Sequence, residues 1–211
     1  MKLYYTPGAC SLADHIALEW SGLPYEAVRV PREKRHSPEY LAINPAGAVP
    51  ALEDDGWILT QNAAILQYIA DRAPREALAG DGTPRSRAEV NRWLGLLNSD
   101  VHPAFKPMFG GVKYIEDAGT VERAKADART KLRALFERID RQLLGREWIA
   151  GSRSIADPYL FVVTRWAKGN HVDLRGLDNL ERHFKRMPYV FDKESMKMTR
   201  SRSSGRAWRK L

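Results

Sequence analysis

Hydrophobic and polar residues alternate in two different ways along the chain, and the change falls near residue 75. Before it, short runs with the two-residue period of a β-strand are interleaved with segments whose apolar residues have helical spacing. Beyond it, apolar residues recur every three or four positions through long polar segments. The pattern predicts a mixed α/β region followed by an all-helical region.

The first region contains four predicted strands and three predicted helices. The strands are 2–5, 25–30, 49–54 and 57–60, and the helices are 11–20, 37–43 and 62–71. Asp-Gly between the last two strands is a strong hairpin signal. The order βαβαββα therefore predicts two parallel strands joined by a crossover helix, then an antiparallel hairpin and a covering helix.

A loop-like segment at 73–89, rich in glycine and proline, separates this region from the rest of the chain. The helical spacing beyond it is strongest at 88–105, 121–145 and 155–169. Because domain boundaries fall in such linkers, we predict three parts. They are an α/β domain at 1–76, a linker at 77–87 and an all-helical domain at 88–211 that ends in a basic tail.

Composition is that of an ordinary soluble globular protein, with 44% apolar and 28% charged residues. The net charge is +8, but six Lys or Arg and no acidic residue lie in the tail at 196–211, which leaves +2 for the remainder. The charge therefore does not predict a nucleic-acid groove, and the tail is interpreted as a solvated end that is partly disordered. Contact of the tail with anionic surfaces is the alternative. Neither a membrane span nor a secretory signal is predicted.

Cys10 is the chain's only cysteine and stands at the first turn of the first predicted helix. A chain without an internal disulfide fits a reducing compartment, most simply the cytoplasm. Because amide groups and the helix dipole stabilise an anion at this position, we expect a thiol near the surface with a lowered pKa. The alternative is a small inert core residue, the usual fate of a free cysteine. No CxxC motif is present, so an internal two-cysteine redox pair is excluded.

Three motifs in order resemble the cytosolic glutathione transferases, most closely the bacterial beta class. They are YYTPGACSL at 4–12, LAINPAGAVPAL at 41–52 and ILTQNAAILQYIAD at 58–71, and the likeness continues through SIADPYLFVVTRWA at 154–167. The resemblance implies a thioredoxin-like N-terminal domain, an all-helical C-terminal domain and a homodimer. It also implies that glutathione is a cosubstrate and that Cys10 is the catalytic residue.

The resemblance assigns residues at both ends of glutathione and at its centre. It implies a cis peptide bond before Pro50, which lets the backbone of Val49 pair with the cysteinyl part of glutathione. It also implies that the γ-glutamyl carboxylate binds at the helix start, at Gln61 and Asn62. The alternatives are a trans proline at the start of a strand and a plain N-cap at Asn62. Lys34 would meet the glycyl carboxylate.

Arg32 and Arg35 are credible substitutes for Lys34, and the alternative for all three is a solvated charge run. Many beta-class members have an acidic residue where this chain has Gln61, and we expect glutathione to bind with less charge attraction. The resemblance adds Ser99 and Asp100 to the glutathione site. Asp100 would supply the missing negative charge across the dimer interface.

The same resemblance implies which residues form the electrophile pocket. His102 is expected to face Cys10 from the helical domain and to contact both substrates; a helix-surface histidine is the alternative. The remaining expected pocket residues are Phe105, Met108, Phe109 and Tyr114. Ser11 is a possible alternative donor to the glutathione thiol. No metal is expected, because the other histidines lack ligand spacing, and no nucleotide, because no Gly-rich phosphate loop is present.

The predicted function is attack of the glutathione thiolate on hydrophobic electrophiles in detoxification, thiol–disulfide exchange through Cys10, or both. Peroxidase activity is a possible side reaction. The alternative is a non-catalytic interaction protein on the same fold. A capping box at 154–157 is expected to serve folding, and Arg153 and Pro158 predict that the helix start is less tightly fixed than in the family.

Overall fold

The structure is a computed structural model that describes residues 1–187, so the predicted basic tail at 196–211 lies outside the described residues. A four-stranded sheet with the order β2-β1-β3-β4 forms its N-terminal part. The strands are β1 (Lys2–Tyr5), β2 (Glu26–Arg29), β3 (Ala51–Asp54) and β4 (Trp57–Thr60). β1 pairs parallel with β2 and antiparallel with β3, and β3 pairs antiparallel with β4.

The two faces of the sheet are covered by different helices because side chains alternate along each strand. Leu3 and Leu52 are fully buried in the main core, which also contains apolar residues of α1 (Ser11–Ser21) and α3 (Asn62–Arg72). Tyr4 and Ala51 belong to a second cluster on the opposite face. There they pack with Tyr40 of the short helix α2 (Pro38–Leu41).

Turn residues fix the connections that the sequence pattern predicts. Asp55 and Gly56 both have positive φ, 49° and 83°, as a tight two-residue hairpin between β3 and β4 requires. Gly22 ends α1 in the left-handed conformation with φ 66°. The predicted βαβαββα order is confirmed, and single-turn 3₁₀ helices follow β2 at Arg32–Lys34 and α3 at Pro74–Glu76.

The remainder of the described chain is helical. Its helices are α4 (Pro84–Leu96), α5 (His102–Ala104), α6 (Ala118–Gln142), α7 (Ala156–Gly169) and α8 (Asp178–Arg186). A π-helical turn, Leu97–Val101, joins α4 directly to α5. The fold class is confirmed as a thioredoxin-like part followed by a helical part. α4 begins inside the segment 77–87, and the domain limits stay a prediction.

The two parts share one hydrophobic core, in which α7 packs against α1 and α4. Trp166 of α7 also donates its indole N–H to the carbonyl of Gly8, at 2.8 Å. The backbone N–H of Ile155 donates to the carbonyl of Leu78, at 2.9 Å. The turn before α1 is therefore held against the helical part by a hydrogen bond as well as by apolar packing.

The start of α7 is held by buried hydrogen bonds around Asp157, and the prediction that it is less tightly fixed than in the family stays a prediction. Asp157 is fully buried, and its carboxylate accepts hydrogen bonds from the N–H and hydroxyl of Ser154 and from the N–H of Ile149. Its Oδ1 also lies 3.0 Å from Nε2 of His183. Arg153 does not weaken this corner, because its guanidinium stacks 5.3 Å from the ring centre of Trp20. The helix start is therefore tightly fixed.

Candidate active site

A cavity of about 770 Å³ opens between the thioredoxin-like part and the helical part. The N-terminal part contributes the turn before α1, the segment before α2, the loop before β3 and the start of α3. The helical part contributes the junction of α4 with α5, the turn that follows α5 and one face of α7. The lining residues used below are Gly8, Cys10, Arg32, Arg35, Val49, Pro50, Gln61, Asn62, Asn98, His102, Lys106, Phe109, Gly111 and Trp166.

Cys10 lies at the floor of this cavity, immediately before α1. The preceding turn places Gly8 at φ 79°, a conformation that glycine adopts without strain, and its carbonyl is held by Trp166. Cys10 is 8% exposed, and its thiol donates to the carbonyl of Val49 at 3.5 Å. The peptide bond between Val49 and Pro50 is cis, as predicted. The thiol is therefore within the cavity but less exposed than the sequence predicts.

The prediction of a lowered pKa for the Cys10 thiol is wrong. Burial raises the pKa of Cys10 to about 12, and the negative charge of Asp14 acts in the same direction. The backbone N–H groups of Cys10 and Ser11 and the guanidinium of Arg35 favour the thiolate, as the helix-start argument requires, but they are outweighed. The thiol therefore remains protonated at neutral pH.

Asp14, one helical turn beyond Cys10, joins α1 to α3. It is fully buried, and its Oδ2 accepts a hydrogen bond from the side chain of Asn62 at 2.9 Å, in the amide orientation that satisfies both partners. The same Asn62 nitrogen donates to the carbonyl of Cys10 at 3.1 Å. Oδ1 of Asp14 has no hydrogen-bond partner among the described residues, and burial raises the pKa of this carboxyl well above its usual range.

This network corrects the interpretation of Asn62 as a plain N-cap. Asn62 is the first helical residue of α3, and its side chain points back to α1 instead of capping its own helix. Gln61 occupies the capping position with φ 76° and makes no side-chain capping bond. Its side chain is exposed, which leaves it available to a ligand at the start of α3.

The opposite wall comes from the π-helical turn and α7. Nδ1 of His102 lies 2.6 Å from the hydroxyl of Tyr159, which lies 3.4 Å from Oδ1 of Asn98. Burial lowers the pKa of His102, so the imidazole is neutral at physiological pH. Burial raises the pKa of Tyr159, so the phenol keeps its proton. This wall therefore offers neutral hydrogen-bonding groups.

Aromatic rings belong to the same wall. The indole of Trp166 meets His102 edge to face, with ring centres 4.8 Å apart, and meets Phe109 at 5.1 Å. Phe109 stacks on the fully buried Phe105 at 5.6 Å and is itself 50% exposed. An exposed aromatic ring next to a cavity provides an apolar surface for a planar ligand.

Three cationic side chains line the cavity: Arg32, Arg35 and Lys106. Among the lining residues that the structure describes, none is Asp or Glu. Within residues 1–187, none of the three cations has a carboxylate within 4.0 Å. The cavity is therefore electropositive and suited to anionic groups.

The structure brings nine of the predicted site residues together at the cavity and leaves seven away from it. Those at the cavity are Cys10, Arg32, Arg35, Val49, Pro50, Gln61, Asn62, His102 and Phe109. Those that do not line it are Ser11, Lys34, Ser99, Asp100, Phe105, Met108 and Tyr114. Ser11 is fully buried and paired with the backbone of Thr6, whereas Lys34, Ser99, Asp100 and Tyr114 are exposed. Met108 and Phe105 pack in or against the core.

Sequence reasoning missed Asp14, Asn98, Lys106 and Trp166. Trp166 lies 158 residues from its hydrogen-bond partner Gly8, a separation that no local pattern reports. Asp14 is a charged residue inside a helix and carries no sequence signal of full burial. Asn98 and Lys106 lie close to the predicted His102, so a search of its neighbourhood on the same helical segment would have found them.

Two further searches cover the described residues only. Within residues 1–187, no three His, Cys, Asp or Glu side chains are arranged to hold a metal ion. In the same range, every helix is too short or too polar to cross a bilayer.

Comparison with known proteins gives consistent matches over most of the chain. A family model of the glutathione S-transferase N-terminal domain matches residues 14–77. A curated relative, glutathione S-transferase GST-4.5 of Xanthomonas campestris pv. campestris, is 57% identical over 188 residues, which cover 89% of this chain and 92% of the relative.

Solved structures agree with the sequence matches. A glutathione S-transferase from Xylella fastidiosa superposes with a TM-score of 0.86 and 51% identity, covering 88% of this chain and 91% of that one. A bacterial beta-class enzyme from Sphingomonas chungbukensis has a TM-score of 0.78 and 40% identity, with coverages of 89% and 92%. A homologue from Sulfitobacter with bound glutathione has a TM-score of 0.81 and 34% identity, with coverages of 88% and 91%.

Proposed function

The chain belongs to the glutathione S-transferase family, and from this premise we propose how its cavity carries out the reaction. The protein is a transferase, similar to the beta class, that uses glutathione as a cosubstrate. We propose that the thiolate of glutathione bound over Cys10 attacks a hydrophobic electrophile held against His102, Phe109 and Trp166. The alternative of a non-catalytic interaction protein is not supported, because the relatives with high identity are named transferases.

Glutathione is proposed to lie along the N-terminal wall of the cavity. Its γ-glutamyl carboxylate meets the free N–H groups at the start of α3, beside the exposed side chain of Gln61. Its cysteinyl part pairs with the backbone of Val49. Its glycyl carboxylate meets Arg32 and Arg35, which line the cavity, whereas Lys34 of the same turn does not. This placement puts the glutathione sulfur next to Cys10.

Cys10 is proposed to act as a hydrogen-bond donor to the glutathione thiolate. Its raised pKa keeps the thiol protonated, and a protonated thiol is a weak donor. The Cys10 and Ser11 N–H groups and Arg35 add positive potential, which favours the glutathione thiolate. The glutathione sulfur lies in the open cavity and is less buried than the sulfur of Cys10, so burial raises its pKa less. The same raised pKa opposes thiol–disulfide exchange through Cys10, so conjugation is the main reaction.

Several finer assignments belong to the same proposal. The protein is proposed to be a cytoplasmic homodimer that detoxifies electrophiles, with domains at 1–76 and 88–211. Ser99 and Asp100 are exposed at the π-helical turn and do not line the cavity of their own chain. Both are therefore free to contact glutathione in the neighbouring subunit of a dimer.

The observation that best supports the proposed function is an electropositive cavity that has Cys10 at its floor and lies beside the first turn of α3. The experiment is conjugation of glutathione to 1-chloro-2,4-dinitrobenzene, followed by absorbance. We expect turnover, and we expect Arg35→Gln to raise the KM for glutathione about five-fold while Lys34→Gln does not. Absence of turnover together with no retention on immobilised glutathione would overturn the proposal. Equal effects of the two substitutions would overturn the assignment of Arg35.

A further inference from the structure

One cation of the cavity is not used by glutathione in the arrangement above. Arg32 and Arg35 come from the segment between β2 and α2, on the glutathione side. Lys106 comes from the turn after α5, in the helical part. The two carboxylates of glutathione are already assigned to the start of α3 and to the arginines. Lys106 is therefore left on the side where the electrophile binds.

The backbone around Lys106 fixes it beside the aromatic wall. Its N–H donates to the carbonyl of Pro103 at 3.0 Å, and its own carbonyl accepts from Phe109 at 3.1 Å and from Gly111 at 2.8 Å. A Cβ at Gly111 would come within 2.8 Å of that carbonyl, so the tight turn requires glycine. These bonds hold the lysine backbone close to the exposed ring of Phe109.

The charge of Lys106 has no partner within the described chain. No carboxylate of residues 1–187 lies within 4.0 Å of its ammonium group, and no acidic residue lines the cavity. A lysine whose only purpose was solubility would not need to border a cavity beside an aromatic wall. A lysine that lines the same cavity as Phe109 and Trp166 suits a ligand that has an aromatic body and an anionic substituent.

We propose that the electrophile of this enzyme is an aromatic compound with a carboxylate or similar anionic group, which Lys106 binds while the ring packs on Phe109 and Trp166. This inference rests on the proposed function and adds the substrate class. In the reaction, the glutathione sulfur supplies the electron pair of the new C–S bond. With a haloaromatic substrate, chloride leaves with the C–Cl electron pair, and the thiol proton passes to solvent.

The test compares a neutral and an anionic electrophile of the same kind. The pair is 1-chloro-2,4-dinitrobenzene and 4-chloro-3,5-dinitrobenzoate, with each kcat/KM divided by the uncatalysed rate. The wild-type protein is expected to favour the carboxylate, and Lys106→Gln is expected to reduce that preference about five-fold. Because exposed charges are screened by salt, the wild-type preference should also fall in 0.5 M NaCl. Lys113→Gln, an exposed lysine outside the cavity, is the matched control and should leave both rates unchanged.

Binding of the two glutathione conjugates, followed by tryptophan fluorescence, separates this inference from the proposed function. Tighter binding of the carboxylated conjugate, reduced about five-fold in Lys106→Gln, supports the inference even if neither electrophile is turned over. Turnover of both electrophiles with the same preference in wild type and Lys106→Gln overturns the inference and leaves the transferase intact. An effect of Lys106→Gln on the KM for glutathione alone also overturns it, because Lys106 would then bind a glutathione carboxylate.

Discussion

Cys10 experiences two opposing influences on its thiol. The start of α1 and Arg35 favour the thiolate, while burial and Asp14 oppose it, and the opposing pair dominates. A helix start stabilises an anion only as far as the anion remains near solvent or is fully paired. This residue is therefore suited to donating a hydrogen bond and is poorly suited to acting as a free nucleophile.

Asp14 offers a direct test of this balance. In the unliganded protein, alkylation of Cys10 by iodoacetamide should be slow at pH 7 and should rise as the pH increases toward the raised pKa, because only the thiolate reacts. Asp14→Asn removes the ionisable carboxyl near the sulfur, with whatever negative charge it carries at the pH of the assay, and keeps the side-chain volume. We expect the alkylation rate at pH 8 to increase about three- to ten-fold. Intact-mass analysis gives the rate, and an unchanged or lower rate would refute the effect of Asp14.

The limit of sequence reasoning at this scale is burial. The sequence places Cys10 at a helix start, and the structure confirms that position. The sequence does not report that Cys10 is 8% exposed or that Asp14 is fully buried, because both depend on packing by distant elements. The direction of the pKa shift was therefore wrong although the local structure was right.

At the scale of elements, α7 is joined to the turn before Cys10 by a hydrogen bond. The indole N–H of Trp166 donates to the carbonyl of Gly8, and the two segments also pack in the same apolar core. The rings of His102 and Phe109 also contact the indole of Trp166. The indole therefore positions the turn that precedes Cys10.

Trp166→Phe should weaken this connection. Loss of the indole N–H removes one hydrogen bond, so we expect about 1 kcal/mol less stability and a several-fold higher KM for glutathione. Trp93→Phe is the matched control, because the buried indole N–H of Trp93 has no hydrogen-bond partner among the described residues. Urea unfolding and steady-state kinetics measure the two effects. Equal changes in both variants would show that the Gly8 contact is unimportant.

The start of α7 gives a second prediction at this scale. Asp157→Ala leaves the donors at Ser154 and Ile149 and the ring of His183 without their buried acceptor. We expect a loss of about 3 to 5 kcal/mol in the free energy of unfolding. Asp117→Ala removes an exposed N-cap at α6 and should cost only about 1 kcal/mol. Similar losses in the two variants would contradict the account of a tightly bonded corner.

The helices, strands and turns were the features of the structure that the sequence predicted best. The Asp-Gly turn, the stop at Gly22 and the spacing of Leu132, Phe136 and Ile139 are local signals, and the structure follows them. The direction of the Asn62 side chain was not predictable, because an N-cap and a bridge to a neighbouring helix require the same residue at the same place. The packing of α3 against α1 decides this case, and it joins residues far apart in sequence.

At the scale of the whole molecule, the reaction depends on a cavity that neither part forms alone. The thioredoxin-like part supplies Cys10, Val49 and the start of α3, and the helical part supplies His102, Lys106 and an aromatic wall. The family resemblance predicted that the two parts contribute different residues to the site. It did not predict the excess of positive charge, which arises because Arg32, Arg35 and Lys106 line the cavity and no acidic residue of 1–187 does.

The central claim is that this cavity holds the glutathione sulfur in a potential that favours its thiolate while Cys10 stays protonated. The most direct measurement is the pH titration of thiolate absorbance at 240 nm for glutathione bound to the wild-type protein and to Cys10→Ala. The account predicts a pKa for bound glutathione clearly below that of an ordinary thiol, about 8.5, and a smaller decrease in Cys10→Ala. Bound glutathione that titrates like the free tripeptide in both proteins would contradict it.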